Sequence, residues 1–457
     1  MKKKEQMAVE KNDEFILEIT GMTGEGQGIG RRNGLVVFVT EALLGEEIKV
    51  HVIKVTSSYA VAKPVEIFKT SSARITPRCP VYRQCGGCTL QHMNYKEQLK
   101  LKRQQVIDAL ERVGGILNPI VEEPVGMENP WRYRNKGAFP YGKSPEGISA
   151  FGFYAERSHR LIPISDCMIQ DERTIEIARK VEAWAEENGI EFYDEKTGRG
   201  YLRHVMARVT TEGESMAVVV TKGKLKAGEQ LAEALSGVDS VYHNQNDAKT
   251  NVIFGKTYSV ISGKTTIRER ICGHLFQIGP ESFLQVNPIQ TEKLYRIAVD
   301  MARMGKTGTA LDLYCGIGTI TLLLAKTFDH VIGVEIINSA VEDARKNARD
   351  NGVSNVEFLS GDTAKILPDL LKMRIFPDVV LLDPPRKGCE ETVLSTLVRN
   401  EIKRIVYISC NPATLARDIA FLKRYDYELI KAVPVDMFAN TSHVETVCLL
   451  SKRSEME

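Results

Sequence analysis

No apolar stretch in the 457 residues approaches the roughly 20 residues of a helical membrane span, so no membrane association is expected. The start, Met1–Gln6, carries three lysines with no apolar segment behind them; a secretory leader is not expected, and a cytoplasmic location is. Neither sign of charge is in excess. The 61 basic and 59 acidic side chains leave a net +2, which argues neither for nor against nucleic acid. The cysteines number nine, an odd count that speaks against a disulfide framework and for metal ligation or catalysis. A dinucleotide fingerprint is missing twice. Gly24-Glu25-Gly26-Gln27-Gly28-Ile29-Gly30 lacks the Gly-x-Gly-x-x-Gly spacing, and Cys315-Gly316-Ile317-Gly318 has Thr321 where the third glycine belongs.

Charge that is unremarkable in sum is uneven along the chain. Seven basic residues and one acid, Glu97, lie between Arg74 and Arg103, and four basic residues and no acid between Trp131 and Lys143. Two such runs flanking a group of cysteines point to a surface that contacts phosphates. Within the second run Trp131-Arg132-Tyr133-Arg134-Asn135-Lys136 alternates strictly. As a strand it would carry Arg132, Arg134 and Lys136 on one face and an aromatic edge on the other, a stripe suited to unpaired bases.

Three regions are expected. Residues 1–70 hold short β-branched stretches separated by glycine turns and read as a small OB-like β-barrel. Residues 71–272 form an α+β central region. It starts with cysteines and a helical stretch from Tyr95 to Val113, then carries strands near 148–153 and 201–209 around a helix at 171–188. Residues 273–457 alternate strands (Ala310–Tyr314, Val331–Glu335, Val356–Leu359, Asp378–Asp383, Arg404–Ser409) with helices, the pattern of an α/β Rossmann-like doubly wound sheet.

The first of those strands runs into Cys315-Gly316-Ile317-Gly318-Thr319 and a helix, where glycines admit a ligand to the helix N-terminus. Seventeen residues past Gly318 the next strand ends in Glu335, placed to accept hydrogen bonds from ribose hydroxyls. A nucleoside bound without a pyrophosphate fits this arrangement, and S-adenosylmethionine is the expected cofactor. Two more strand ends, Leu382-Asp383-Pro384-Pro385-Arg386 and Ser409-Cys410-Asn411-Pro412, reach the same crevice. A cysteine beside a sulfonium cofactor suggests attack on C6 of a uracil, which activates C5 for methylation. The C5 proton must then leave, and Glu445, at the head of the last strand, or His443 would take it. Arg386 and the cationic cofactor would favour the Cys410 thiolate.

Asp383-Pro384-Pro385-Arg386-Lys387-Gly388, Ser409-Cys410-Asn411-Pro412 and His443-Val444-Glu445-Thr446 resemble the motifs of the RNA uracil-5 methyltransferases, and within them the 23S ribosomal RNA branch. The resemblance covers essentially the whole chain, with an N-terminal segment similar to a TRAM domain. It implies Cys410 as nucleophile and Glu445 as proton acceptor. Gln285, Tyr314, Glu335 and Asp383 would contact the cofactor, and 23S rRNA would be the partner. RNA cytosine-5 methyltransferases carry their cysteine directly after the Asp-x-Pro turn, and Cys389 lies too far beyond Pro385 to match.

Cys79-x5-Cys85-x2-Cys88 with distant Cys167 has the spacing of a [4Fe–4S] cluster more than of zinc, and the resemblance implies a cluster on these positions. No step of the expected reaction needs it for redox work, so a structural role is expected, in a monomer. The alternatives are a tRNA uracil-5 methyltransferase with the same chemistry, disfavoured by the cysteines, and a non-catalytic RNA-binding protein. Which uridine is chosen, and whether there are one or two, no motif states.

Overall fold

The computed structural model describes residues 9–144, 147–195, 197–303 and 308–453; the basic start Met1–Gln6 lies outside them. Among the described residues no helix is long and apolar enough to cross a membrane.

The first sheet holds β1 (Glu14–Glu18), β2 (Gly21–Met22), β3 (Gly28–Arg32), β4 (Leu35–Val39), β5 (Glu47–Val55) and β6 (Tyr59–Lys69) in the order β1-β5-β6-β4-β3-β2. It coils until β3 meets β1. A Cβ on Gly30 would lie 2.6 Å from the Glu18 carbonyl oxygen, so glycine lets the two backbones approach. Leu17, Val37, Val39, Ile48, Val50 and Val52 fill the inside at alternate positions.

The central region begins with α1 (Tyr95–Arg112), capped by the Asn94 side chain on the Glu97 N–H. Its sheet is β7 (Lys136–Lys143), β8 (Ser149–Tyr154), β9 (Leu161–Pro163), β10 (Leu202–Val209), β11 (Ser215–Thr221), β12 (Ser240–Gln245) and β13 (Thr257–Gly263), ordered β13-β12-β11-β10-β7-β8-β9. Helices α2 (Glu172–Glu187) and α3 (Gly228–Ala234) belong to this region, and a β14 (Ile267–Ile271) and β15 (His274–Ile278) hairpin follows. Helix α1 packs elsewhere. Its Val106 and Leu110 share a core with the last sheet, and Val121 and Val125 bridge to Ala432 and Val435 there.

The expected basic strand at 131–136 does not form. Arg132 adopts a left-handed φ of +56°, and regular pairing starts only at Lys136. The turn is stabilised by tertiary contacts: the Arg132 guanidinium donates to both Asp166 carboxylate oxygens, at 2.8 and 2.7 Å, and to the Cys167 carbonyl. The first basic run is likewise largely consumed within the molecule. Arg74 pairs with Glu46, Arg83 with Glu41, Lys100 with Glu97, Lys102 with Asp436 and Arg103 with Glu123. Most of those acids lie far away in the chain, where no local count of charge could find them.

The last sheet is the expected doubly wound one: β16 (Thr309–Leu313), β17 (His330–Glu335), β18 (Val356–Ser360), β19 (Val379–Leu382), β20 (Arg404–Ser409), β21 (Tyr427–Val435) and β22 (Glu445–Lys452), ordered β18-β17-β16-β19-β20-β22-β21. Around it stand α4 (Pro288–Ala302), α5 (Thr319–Leu324), α6 (Asn338–Asp350), α7 (Thr363–Lys372), α8 (Glu391–Arg399) and α9 (Pro412–Lys423). Covered on both faces, β19 is buried at all four residues, each such side chain contributing roughly 1.5–3 kcal/mol by leaving water. Truncation there, as in Leu381→Ala, would cost about 2–5 kcal/mol. Strands β16 to β20 are parallel, whereas β22 runs against both β20 and β21.

Candidate active site

The strand order reverses between β16 and β19, so a crevice opens at their carboxyl ends. The cavity there measures about 1060 Å³, and Gln285, Tyr314, Glu335, Asp383, Cys410 and Glu445 all line it. Five of the six follow from strand ends in one half of the chain. Because β22 is antiparallel, its first residue lies at the edge where β20 finishes: Thr446 is opposite Ser409, which puts Glu445 beside Cys410.

Two Asn-Pro pairs set the flanking helices. Asn287 accepts from the Gln290 N–H and Asn411 from the Ala413 N–H, each with proline in the first turn. Gln285 and Cys410 are thereby held just ahead of α4 and α9. At the end of β16 the backbone turns through left-handed φ at Tyr314 (+71°) and Gly316 (+54°). The turn brings the Gly316 N–H to Glu335 Oε2 at 3.1 Å, while the Ile337 N–H donates to Oε1 at 2.9 Å. Gly318 serves packing: a Cβ there would lie 2.9 Å from the Phe358 ring.

Three carboxyls remote from one another in sequence meet at the crevice, Asp312 and Glu445 buried and Asp383 half-buried. Burial, and then its charged neighbours, push Asp312 and Asp383 up to about 7, and burial with the Asp383 charge pushes Glu445 up to about 8. Tyr295 sits among all three. Asp312 binds the Thr321 hydroxyl at 2.6 Å through Oδ2, and its Oδ1 is buried without a partner. Neither Asp312 nor Tyr295 is among the residues expected at the site, although Asp312 stands three residues ahead of the Cys315-Gly316 turn. Burial and the Glu445 charge raise the Cys410 thiol, and Arg386 opposes them without prevailing.

His443 also lines the cavity, its pKa lowered by burial and by Arg386, Lys102 and Arg134. Cys389 does not line it. Its backbone N–H is bound by Asp418 and Tyr407, and burial pushes its thiol up to about 12. The Arg386–Gly388 turn above Cys410 is fastened to α9: Asn411 and Thr414 donate to the Arg386 carbonyl, and Arg417 donates to that of Lys387.

The four cysteines of the central region line a second cavity of about 370 Å³. Burial, with repulsion from the other thiols, pushes Cys88 up to about 12 and Cys167 to about 11. Among the described residues no three His, Cys, Asp or Glu side chains close on a point for a single metal ion. Phe438, Arg386 and His443 line both cavities.

Residues 244–453 match the family described as tRNA (Uracil-5-)-methyltransferase, and residues 9–65 match the TRAM domain. An RNA methyltransferase of Clostridium tetani is 48% identical over 98% of both chains. One of Halalkalibacterium halodurans is 44% identical over 99% of this chain and 100% of its own. The chain belongs to the RNA uracil-5 methyltransferase family. A solved member, the tRNA (uracil-54, C5)-methyltransferase of Pyrococcus abyssi in complex with S-adenosyl-L-homocysteine, superposes with a TM-score of 0.77 at 29% identity, covering 95% of this chain and 99% of its own. This uracil-5 methyltransferase is accordingly S-adenosylmethionine-dependent and acts on RNA, with a TRAM module at its N-terminal end. The S-adenosylmethionine fit is carried by the crevice: a paired backbone clamp fixes the Glu335 carboxylate at the rim, and a Cβ on Gly316 would meet nothing within 4 Å.

Proposed function

We propose that the enzyme methylates C5 of a uridine in 23S ribosomal RNA, with Cys410 as nucleophile and Glu445 as base. The observation that carries this reading is the antiparallel entry of β22, which stands Glu445 beside Cys410 in the cavity that Glu335 and Asp383 also line. Glu335 would hold the ribose hydroxyls of the cofactor, and Gln285, Tyr314 and Asp383 its remaining polar groups. S-adenosylmethionine, when bound, supplies the methyl group as an electrophile.

Uracil C5 is too weak a nucleophile to be methylated unaided. The Cys410 thiol gives up its proton to solvent before the target base closes the site, and the sulfur bonds to C6, moving the C5=C6 electron pair onto C5. After methylation the Glu445 carboxylate takes the C5 proton. The C–H electrons then restore C5=C6, and the C6–S bond breaks to release Cys410. Arg386 favours the ionised form of both side chains, and the buried setting keeps water from the adduct. The target must leave any stacked helix to reach so enclosed a site. Cys389, buried and outside the lining of this cavity, is not available for the cytosine variant of this chemistry.

We assign a [4Fe–4S] cluster to Cys79, Cys85, Cys88 and Cys167. The four thiols line one cavity, and the Cys-x5-Cys-x2-Cys spacing with a distant fourth cysteine suits a polynuclear cluster better than zinc. Its role would be to shape the RNA-facing surface. The ribosomal target rests on the resemblance of these cysteines and the motifs to that branch. The likeness to the Pyrococcus abyssi structure favours a second reading, a tRNA uridine. Mapping 5-methyluridine in 23S rRNA and tRNA from a deletion strain separates the two: loss from rRNA supports the first, loss from tRNA alone the second. RNA carrying 5-fluorouracil should form a covalent complex that Cys410→Ala abolishes. Persistence of the complex in that variant would remove Cys410 as nucleophile.

A further inference from the structure

The loop between β21 and β22 carries Phe438 and His443 and delivers the chain to Glu445. Many of its anchors come from outside its own sheet. The Thr89 and Leu90 N–H groups both donate to the Asn440 carbonyl at 3.0 Å, and the Ser442 N–H donates back to Thr89 Oγ1 at 3.0 Å. The Asn440 N–H donates to Gln98 Oε1 at 2.9 Å, and its side-chain amide donates to the Pro130 carbonyl at 2.9 Å. Tyr133 reaches the Ala439 carbonyl at 2.9 Å, and Lys102 the Phe438 carbonyl at 3.0 Å.

Asn440 is the centre of this set. It is 2% exposed and holds a left-handed φ of +65°, a conformation that an asparagine tolerates and that needs support from its surroundings. Thr89 immediately follows Cys88, so the cysteine cavity and the candidate base are joined by a few hydrogen-bonded residues.

We propose that Thr89 and Asn440 form a latch that positions Glu445, carrying the shape of the cysteine-bearing turn to the proton-removal step. The inference rests on Glu445 being the base. Thr89 and Asn440 touch no reacting atom; they are positioning residues. A register error of about 1 Å at a reacting group can cost about 100-fold in rate, and loosening one strut of several should cost about tenfold.

Thr89 is exposed, so Thr89→Val removes the Oγ acceptor without disturbing the core. With ordinary uridine RNA and S-adenosylmethionine, Thr89→Val should lose about tenfold in kcat with KM for RNA changed less than about twofold. It should also accumulate a covalent RNA adduct stable to denaturant, because Cys410 attack precedes the step that fails. Thr89→Ser, which keeps the acceptor, should restore wild-type behaviour. Wild-type kcat without adduct in Thr89→Val overturns the latch, as does a kcat that falls only in step with lost folded protein. Glu445→Gln run alongside separates the two readings. If it accumulates adduct and Thr89→Val does not, the latch fails; if Glu445→Gln accumulates none, the assignment of the base fails.

Discussion

Glu445 stands beside Cys410 because β22 runs against β20, with Thr446 opposite Ser409. Burial, and after it the Glu445 charge, raises the Cys410 thiol, while burial with the Asp383 charge pushes the Glu445 carboxyl itself up to about 8. In the proposed reaction, with Cys410 as nucleophile and Glu445 as base, the two would act in sequence rather than at once.

The pH dependence of kcat/KM should follow. Glu445 must be ionised to accept a proton and Cys410 must lose one, so the rate should rise with pH through about 8. A profile flat between pH 7 and 9 would contradict the assignment. Stability moves the other way. The ordinary value is 4.5, so between there and about 8 the folded chain retains a proton that the unfolded chain releases. Folding is therefore favoured most below 4.5, and that advantage is lost as pH rises through about 8. Asp312 and Asp383 act in the same sense. Glu445→Gln should melt above wild type at pH 9, with the gap narrowing at pH 5, as calorimetric scans would record.

Glu335 accepts two backbone N–H bonds, which hold its carboxylate at the cavity rim. Hydrogen bonds to a charged acceptor contribute about 1.5–3 kcal/mol, so Glu335→Gln should weaken S-adenosylhomocysteine binding roughly 10-fold or more. RNA affinity should stay within about twofold. Titration calorimetry for the cofactor product and filter binding for RNA would check both.

Lys102 and Asp436 form a buried pair at 2.6 Å that ties α1 to the loop after β21, with the Tyr95 hydroxyl on the second carboxylate oxygen. Lys102→Met leaves that carboxylate buried without its cation, at a cost of about 3–5 kcal/mol. Urea denaturation should show a loss of unfolding free energy of that size. A change under 1 kcal/mol would mean that Tyr95 alone suffices.

The basic segment at 132–136 divides by role. Arg132 is held by Asp166 and Glu172, whereas Arg134 stands over the Phe438 ring at 6.0 Å and lines the cysteine cavity. Arg134→Met should lower RNA affinity and reduce the slope of log Kd against log salt by about 1. Arg132→Met should instead lower thermal stability and leave that slope unchanged. Equal slopes in both variants would refute the division.

Periodicity in the last 180 or so residues was enough to read the doubly wound sheet, since parallel strands buried on both faces are continuous apolar runs that end in Glu335, Asp383 or Cys410. The same logic located α1 and α2 within a residue of their observed ends. Gln285 was visible only through resemblance, because a glutamine two residues ahead of a helix cap has no signature of its own. The basic stripe failed for a physical reason: alternation specifies a strand only where no tertiary partner bends the backbone, and Asp166 does so at Arg132.

By itself, then, the sequence determined the order of elements, the chemical identity of Cys410 and Glu445, and the four cysteines, since each depends on local pattern or residue type. Tertiary structure alone decided which charges are spent on each other, how three carboxyls come to share one crevice, and which groups bear on the Cys410 thiol. Those are properties of burial and of distance between remote residues. Only the antiparallel course of β22 and the Asn440 latch bring Glu445 to its place.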